Sequence, residues 1–190
     1  TAEEFTQEEF GEAKAFKPTT KAGQALYDFI LSHLETHGGG RYKINPSTKL
    51  PYSVGRDDPT GKLSMQHVSP FIWAIFDNNP SDNWLLTEIR AATQESLDAR
   101  GLPDEFVVFR STTEEQLDKF DLVSTTLDLD VAKGNVRRNR NIVAYRVKKE
   151  DVEVDVQAFE TAFADVDNLT DRERLFHHGP LPEVELYIRS

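Results

Sequence analysis

The chain has 190 residues, with 33 acidic against 22 basic side chains, a formal net charge of −11 and no cysteine. That length holds one sizeable domain or two small ones, one being the economical reading, and the acidity argues against a surface that captures nucleic acid or anionic lipid mainly through a positive field. The lack of thiols excludes disulfides, thiolate catalysis and cysteine-ligated metal, and no stretch shows the apolar run of a membrane span or the pattern of a signal peptide.

Residues 1–19 read as an arm or linker, acidic over most of its length, whose Phe5, Phe10 and Phe16 are placed to dock it. From Thr20 to His37 the apolar residues Ala22, Leu26, Ile30 and Leu34 recur every four positions, the spacing of one helix face, and Gly38-Gly39-Gly40 ends the helix. Turn formers at Asn45-Pro46, Leu50-Pro51, Asp58-Pro59 and Thr60-Gly61 make Arg41 to Met65 a long loop or a pair of weak strands. Ser69-Pro70 reads as a helix start, serine as cap and proline in the first turn, leading into an apolar run that predicts a buried helix. Asp82 is the expected cap of a longer helix carrying Leu85, Leu86, Ile89, Ala92 and Leu97, stopped by Gly101-Leu102-Pro103.

The run Phe106-Val107-Val108-Phe109 predicts a buried strand that delivers Arg110 at its end. Thr113 and Gln116 form a capping box for a short helix, and Leu122-Val123 leads back into the hydroxyl cluster Ser124-Thr125-Thr126. Lys133 to Asn141 is the one dense basic segment and reads as a loop. Ile142–Val147, Val152–Val156 and Val184–Ile188 read as strands, with a short helix over Val156–Phe163 and a polar loop at 165–170. With helices gathered in 20–104 and strands in 105–190, the fold class is segregated α+β in a single domain spanning 20–190.

Three features stand in order: Phe109-Arg110 at a strand end, Ser124-Thr125-Thr126 on the next strand, and Asp171-Arg172-Glu173 after a polar loop, followed by Leu175-Phe176 and Gly179. This order resembles the Arg–Ser–Glu class of mono-ADP-ribosyltransferases, found among bacterial toxins and T-even phage enzymes, over about residues 80 to 190. The family pattern is aromatic-Arg, Ser-Thr-Ser and Glu-x-Glu. The resemblance implies two packed antiparallel sheets around an NAD cleft with an N-terminal helical region. It implies NAD as substrate and no metal. The expected partner is a host protein acceptor, most often arginine, with a nucleic-acid acceptor as the variant and no membrane. The expected setting is the host cytoplasm, reached by phage expression, by effector delivery or in a virion.

By the same resemblance Glu173 is the catalytic carboxylate, Asp171 orients the acceptor, Ser124 holds Glu173, and Arg110 binds NAD together with Ser111, Ser124, Thr125, Thr126, Arg137 and Arg138. The chemistry explains these residue types. Cleavage of the bond between nicotinamide and ribose builds positive charge on the sugar, which a fixed carboxylate stabilises, and the planar guanidinium suits phosphate oxygens. The activity the resemblance implies is transfer of ADP-ribose from NAD to a protein side chain; Asp171 is a methylene shorter than the family's glutamate, a departure that would favour the alternative, an NAD glycohydrolase. A non-catalytic interaction domain of the same architecture is the reading from another class.

Competing readings of the same residues are plain ones. Thr170 to Glu173 also fits a helix capping box. A second acid pair, Glu183-Val184-Glu185, precedes apolar residues, but a catalytic Glu185 would have no strand after it, so Glu173 is preferred. His33 and His37, one helical turn apart, lack a third ligand and read as an ordinary helix face. No glycine-rich dinucleotide or phosphate-loop motif is present.

Overall fold

The computed structural model describes residues 7–37, 42–53, 68–80, 82–112, 122–134, 141–163 and 185–189. They form an α+β chain with two antiparallel sheets, one of two strands and one of five. The contacts divide it into two compact units: residues 1–14, 90–157 and 178–190 in the first, and 15–89 and 158–177 in the second.

The second unit holds α1 (Lys21–His37), the hairpin of β1 (Tyr42–Ile44) and β2 (Pro51–Ser53), and α2 (Ser69–Asn78). Thr20 caps α1 by accepting the Gly23 amide at 3.0 Å. Leu26, Ile30, Leu31 and Leu34 are buried, whereas Ala22 is exposed and Gly23 takes the buried position in the first turn. In α2 the expected cap is displaced: Ser69 is the first helical residue, Val68 precedes it, and no side chain caps the end. Ile72, Ile75 and Phe76 are buried there, while Phe71 and Trp73 are only partly covered. The loop from Asn45 to Leu50 is closed by backbone bonds and by the Asn45 side chain, which accepts the Ser47 amide at 2.9 Å. Phe16 packs on Phe159 and Tyr27 on Phe163, with centroids 5.3 and 4.9 Å apart. His33 lies between the rings of Phe29 and Phe71.

Helix α3 (Trp84–Ala99) begins in the second unit and ends in the first. Its cap is Asn83, whose Oδ1 accepts the Leu85 amide at 2.8 Å, and not Asp82. Gly101, with φ +73°, ends it in the left-handed conformation that glycine adopts without a Cβ clash.

The first unit is built on the five-stranded sheet. Its strands are β3 (Glu105–Thr112), β4 (Leu122–Thr126), β5 (Asn141–Lys148), β6 (Val152–Asp155) and β7 (Glu185–Arg189), in spatial order β5-β3-β4-β7-β6, all antiparallel. Strand β3 reads as a continuous apolar run because both of its faces are covered. Phe106 and Val108 join Leu97, Leu102, Val123, Val152, Leu186 and Ile188 on one face, and Phe10 of the arm packs there too. Val107 and Phe109 meet Ala132 of α4 (Leu129–Gly134) on the other. A short 3-10 turn, Lys149–Asp151, links β5 to β6, and α5 (Val156–Phe163) follows β6.

Strand β6 carries a register shift at Glu153, between Val152 opposite Ile188 and Val154 opposite Tyr187. Such an extra residue bends the strand and re-aims its side chains. Glu153 consequently accepts from both Arg90 and Arg189. Two residues on, Asp155 is wholly buried and takes Arg100 Nε at 2.8 Å, Arg100 NH2 at 3.2 Å and Ser96 Oγ at 2.8 Å. Arg90 and Ser96 of α3, with Arg100 just beyond its end, thus meet the two carboxylates of β6.

Candidate functional site

The alternation of a strand decides which side chains can meet. Strands β4 and β7 pair without irregularity over five positions, with Ser124 opposite Tyr187 and Thr126 opposite Glu185. Ser124 and Glu185 are therefore diagonal neighbours on one face, a span of roughly 7–8 Å between backbones that a serine and a glutamate together can bridge. They do so: Ser124 Oγ donates to Glu185 Oε2 at 2.7 Å. Both residues are partly buried, which keeps the carboxylate fixed yet reachable.

The neighbouring hydroxyls have other partners. Thr125, only 4% exposed, donates to the Leu186 carbonyl at 2.9 Å and clasps β4 to β7. Thr126 accepts the Asp128 amide at 3.1 Å, which turns the chain out of β4 and into α4. The sequence places all three hydroxyls at one site; the pleat aims Ser124 at the carboxylate.

Phe109 pairs with Thr126, so it shares the face of Ser124 and Glu185. Ser111, two residues on, lies on that same face and Arg110 on the opposite one, the regular pairing of β3 with β5 through Thr112 leaving no slip between them. Arg110 is partly buried at the end of β3 and stands opposite Val143. The arginine, serine and glutamate thus occupy three adjacent strands, with the serine and glutamate on one face of the sheet and the arginine on the other.

Asp171, Glu173, Arg137 and Arg138 lie outside the described residues, as do the capping box at Thr113–Gln116 and Glu183. The carboxylate that meets Ser124 among the described residues is Glu185. Glu185 opens β7, the closing strand expected from sequence over Val184–Ile188. The signal that finds it is the register of β4 on β7, which a linear reading lacks.

Among the described residues no group of three or more histidine or acidic side chains is arranged to hold a metal, and no helix is long and apolar enough to cross a membrane. No protein-family model, curated protein or solved structure matches this chain.

Proposed function

We propose that this chain is an NAD-dependent mono-ADP-ribosyltransferase whose catalytic carboxylate is Glu185. The observation that carries the reading is the 2.7 Å bond from Ser124 to Glu185 across adjacent strands, the pairing that the Arg–Ser–Glu resemblance assigns to serine and glutamate. Glu173, the carboxylate preferred from sequence, lies outside the described residues, and this reading takes Glu185 in its place. The upstream acid of the motif then becomes Glu183 and the pattern Glu183-Val184-Glu185, a full Glu-x-Glu that removes the shortened aspartate and with it the reason to favour hydrolysis.

In this reading the bond between nicotinamide and ribose breaks with its electron pair leaving on nicotinamide. The positive charge that develops on the sugar is met by the Glu185 carboxylate, held by Ser124 in a fixed orientation before the substrate arrives. The acceptor nucleophile, an arginine side chain of a host protein by the resemblance, attacks the same carbon and loses a proton, for which Glu183 is the base. Arg110, on the opposite face of the sheet, takes no part at the Ser124–Glu185 face in this reading. Ser111, on the Ser124 face, adds a hydroxyl.

The test is nicotinamide release from NAD by the unmodified chain beside Glu185→Gln and Glu173→Gln, with and without an arginine-rich acceptor. Release that is lost in Glu185→Gln and kept in Glu173→Gln is the expected result. Loss in Glu173→Gln with full activity in Glu185→Gln overturns the assignment. No release by the unmodified chain under any acceptor condition overturns the enzyme reading and leaves the interaction domain.

A further inference from the structure

The arm, residues 7–14, is bonded into the first unit at several points. Phe10 packs on the core cluster of the sheet and lies under the Arg100 guanidinium, 6.0 Å from the ring centre. Gly11 donates its amide to the Arg100 carbonyl at 2.8 Å and accepts from Arg100 NH1 at 2.9 Å. A Cβ at Gly11 would sit 3.3 Å from that carbonyl oxygen, so glycine lets the two backbones approach. Lys14 donates its amide to Ser96 Oγ at 3.0 Å and its ammonium pairs with Glu95.

Ahead of these anchors, Gln7 reaches a different element. Its Oε1 accepts the Leu129 amide at 2.9 Å, across 122 positions of sequence. Leu129 opens α4, and the first amides of a helix have no partner within it. Asp128 supplies the next one, accepting the Asp130 amide at 2.9 Å. The Asp128 amide in turn is held by Thr126 Oγ1, and Thr126 stands opposite Glu185 in the sheet. A short run of bonds therefore leads from Gln7 through the start of α4 to the strand pair that carries the Ser124–Glu185 contact.

We propose that the N-terminal arm is a positioning strap for the Ser124–Glu185 site and that Gln7, by capping α4, is its acting residue; this rests on the function proposed above. With the arm docked, α4 and the turn from Thr126 to Asp128 are fixed, and the end of β4 that faces Glu185 is held in register. With Gln7 unable to accept, the first turn of α4 loosens and the strand end with it. Phe10, Gly11 and Lys14 dock the arm, and Gln7 transmits the docking.

The experiment uses the full chain with Gln7→Met, Gln7→Glu, Leu129→Pro and the double variant Gln7→Met with Leu129→Pro. Proline fits the first helical position and removes the amide that Gln7 receives. Two readouts are taken: amide hydrogen exchange at 126–132 and 185–188, and kcat and KM for nicotinamide release. Gln7→Met is expected to speed exchange in both segments and to lower kcat about fivefold, the factor set by one ordinary hydrogen bond, at unchanged KM. Gln7→Glu keeps an acceptor and restores both. In the Leu129→Pro background Gln7→Met adds nothing. Unchanged exchange in Gln7→Met, or Gln7→Glu behaving like Gln7→Met, overturns the strap. If the unmodified chain releases no nicotinamide, the enzyme reading fails separately, and the exchange at 185–188 alone decides whether the arm reaches the site.

Discussion

Replacing Arg100 by methionine tests the most deeply buried ion pair in the described residues. The side chains of Arg100 and Asp155 are 1% and 0% exposed, and their contact at 2.8 Å is reinforced by a second arm of the guanidinium at 3.2 Å. Methionine fills a similar volume, so the loss is almost wholly electrostatic. Among the described residues it leaves Asp155 with Ser96 as its side-chain donor, and it removes the bonds that Arg100 gives to the Gln157 Oε1 and the Gly11 carbonyl. A buried charge left without its counter-ion costs about 3–5 kcal/mol, which for a chain of this size lowers Tm by about 10 °C. Urea unfolding followed by far-ultraviolet circular dichroism, with a thermal melt, measures both. The double variant Arg100→Met with Asp155→Leu buries no charge and is expected to be more stable than Arg100→Met alone. A cost below about 1 kcal/mol for Arg100→Met, the range of an exposed pair, would refute the view that this contact sits in a dry core.

Ser124→Ala removes a charge-assisted bond to the Glu185 carboxylate and should lower kcat/KM for nicotinamide release by about 10- to 100-fold, with the melting temperature little changed; equal activity would sever serine from the mechanism. Gly101 has φ +73° and a methyl group added there would meet nothing within 4 Å, so Gly101→Ala carries backbone strain alone and should cost about 1 kcal/mol in a urea titration, Gly101→Asn costing less. Burial first and Asp28 second raise the Tyr27 hydroxyl above its ordinary value of 10.0. The folded state therefore binds this proton more tightly than the unfolded one, and the stability it contributes is complete below pH 10.0 and is lost as pH rises through the folded value. Phenolate absorbance of the unmodified chain minus that of Tyr27→Phe should show this residue ionising above the usual tyrosine range, and a midpoint at or below that range would contradict the packing around it.

Strands and helices with strong local patterns were legible in the residues alone. The apolar run at Phe106–Phe109, the alternation at Ile142–Val147 and the four-residue spacing of α1 each carry their own periodicity, and the structure puts β3, β5 and α1 there. Boundaries set by side-chain caps were less so, since Asn83 and Asp82 are equally good acceptors and only the helix geometry selects Asn83. Helix α4 escaped notice because six residues are too few to display a period, and part of its capping comes from Gln7, far away in the chain. At the candidate site the strand that carries Ser124 could be read directly, but the side chain that Ser124 meets could not. Acid-x-acid before apolar residues occurs twice, and it is the pairing of β7 with β4, a long-range fact, that puts Glu185 in reach of Ser124.

Strand β7 is the last of the described strands in chain order, yet it lies inside the sheet, between β4 and β6. Before it docks, β5, β3 and β4 form one sheet fragment and β6 stands apart, each with an unpaired inner edge of the kind that recruits other chains. Its contacts with β4 bridge about sixty positions, and pairing between segments so far apart in sequence slows folding. In the proposed enzyme the glutamate that attends bond cleavage arrives on that strand, and a ribosome making this chain would not assemble a working site beforehand. Chains interrupted before Glu185 would lack the proposed carboxylate and keep two open strand edges, so the proposed site and the closed sheet would be completed by the same strand.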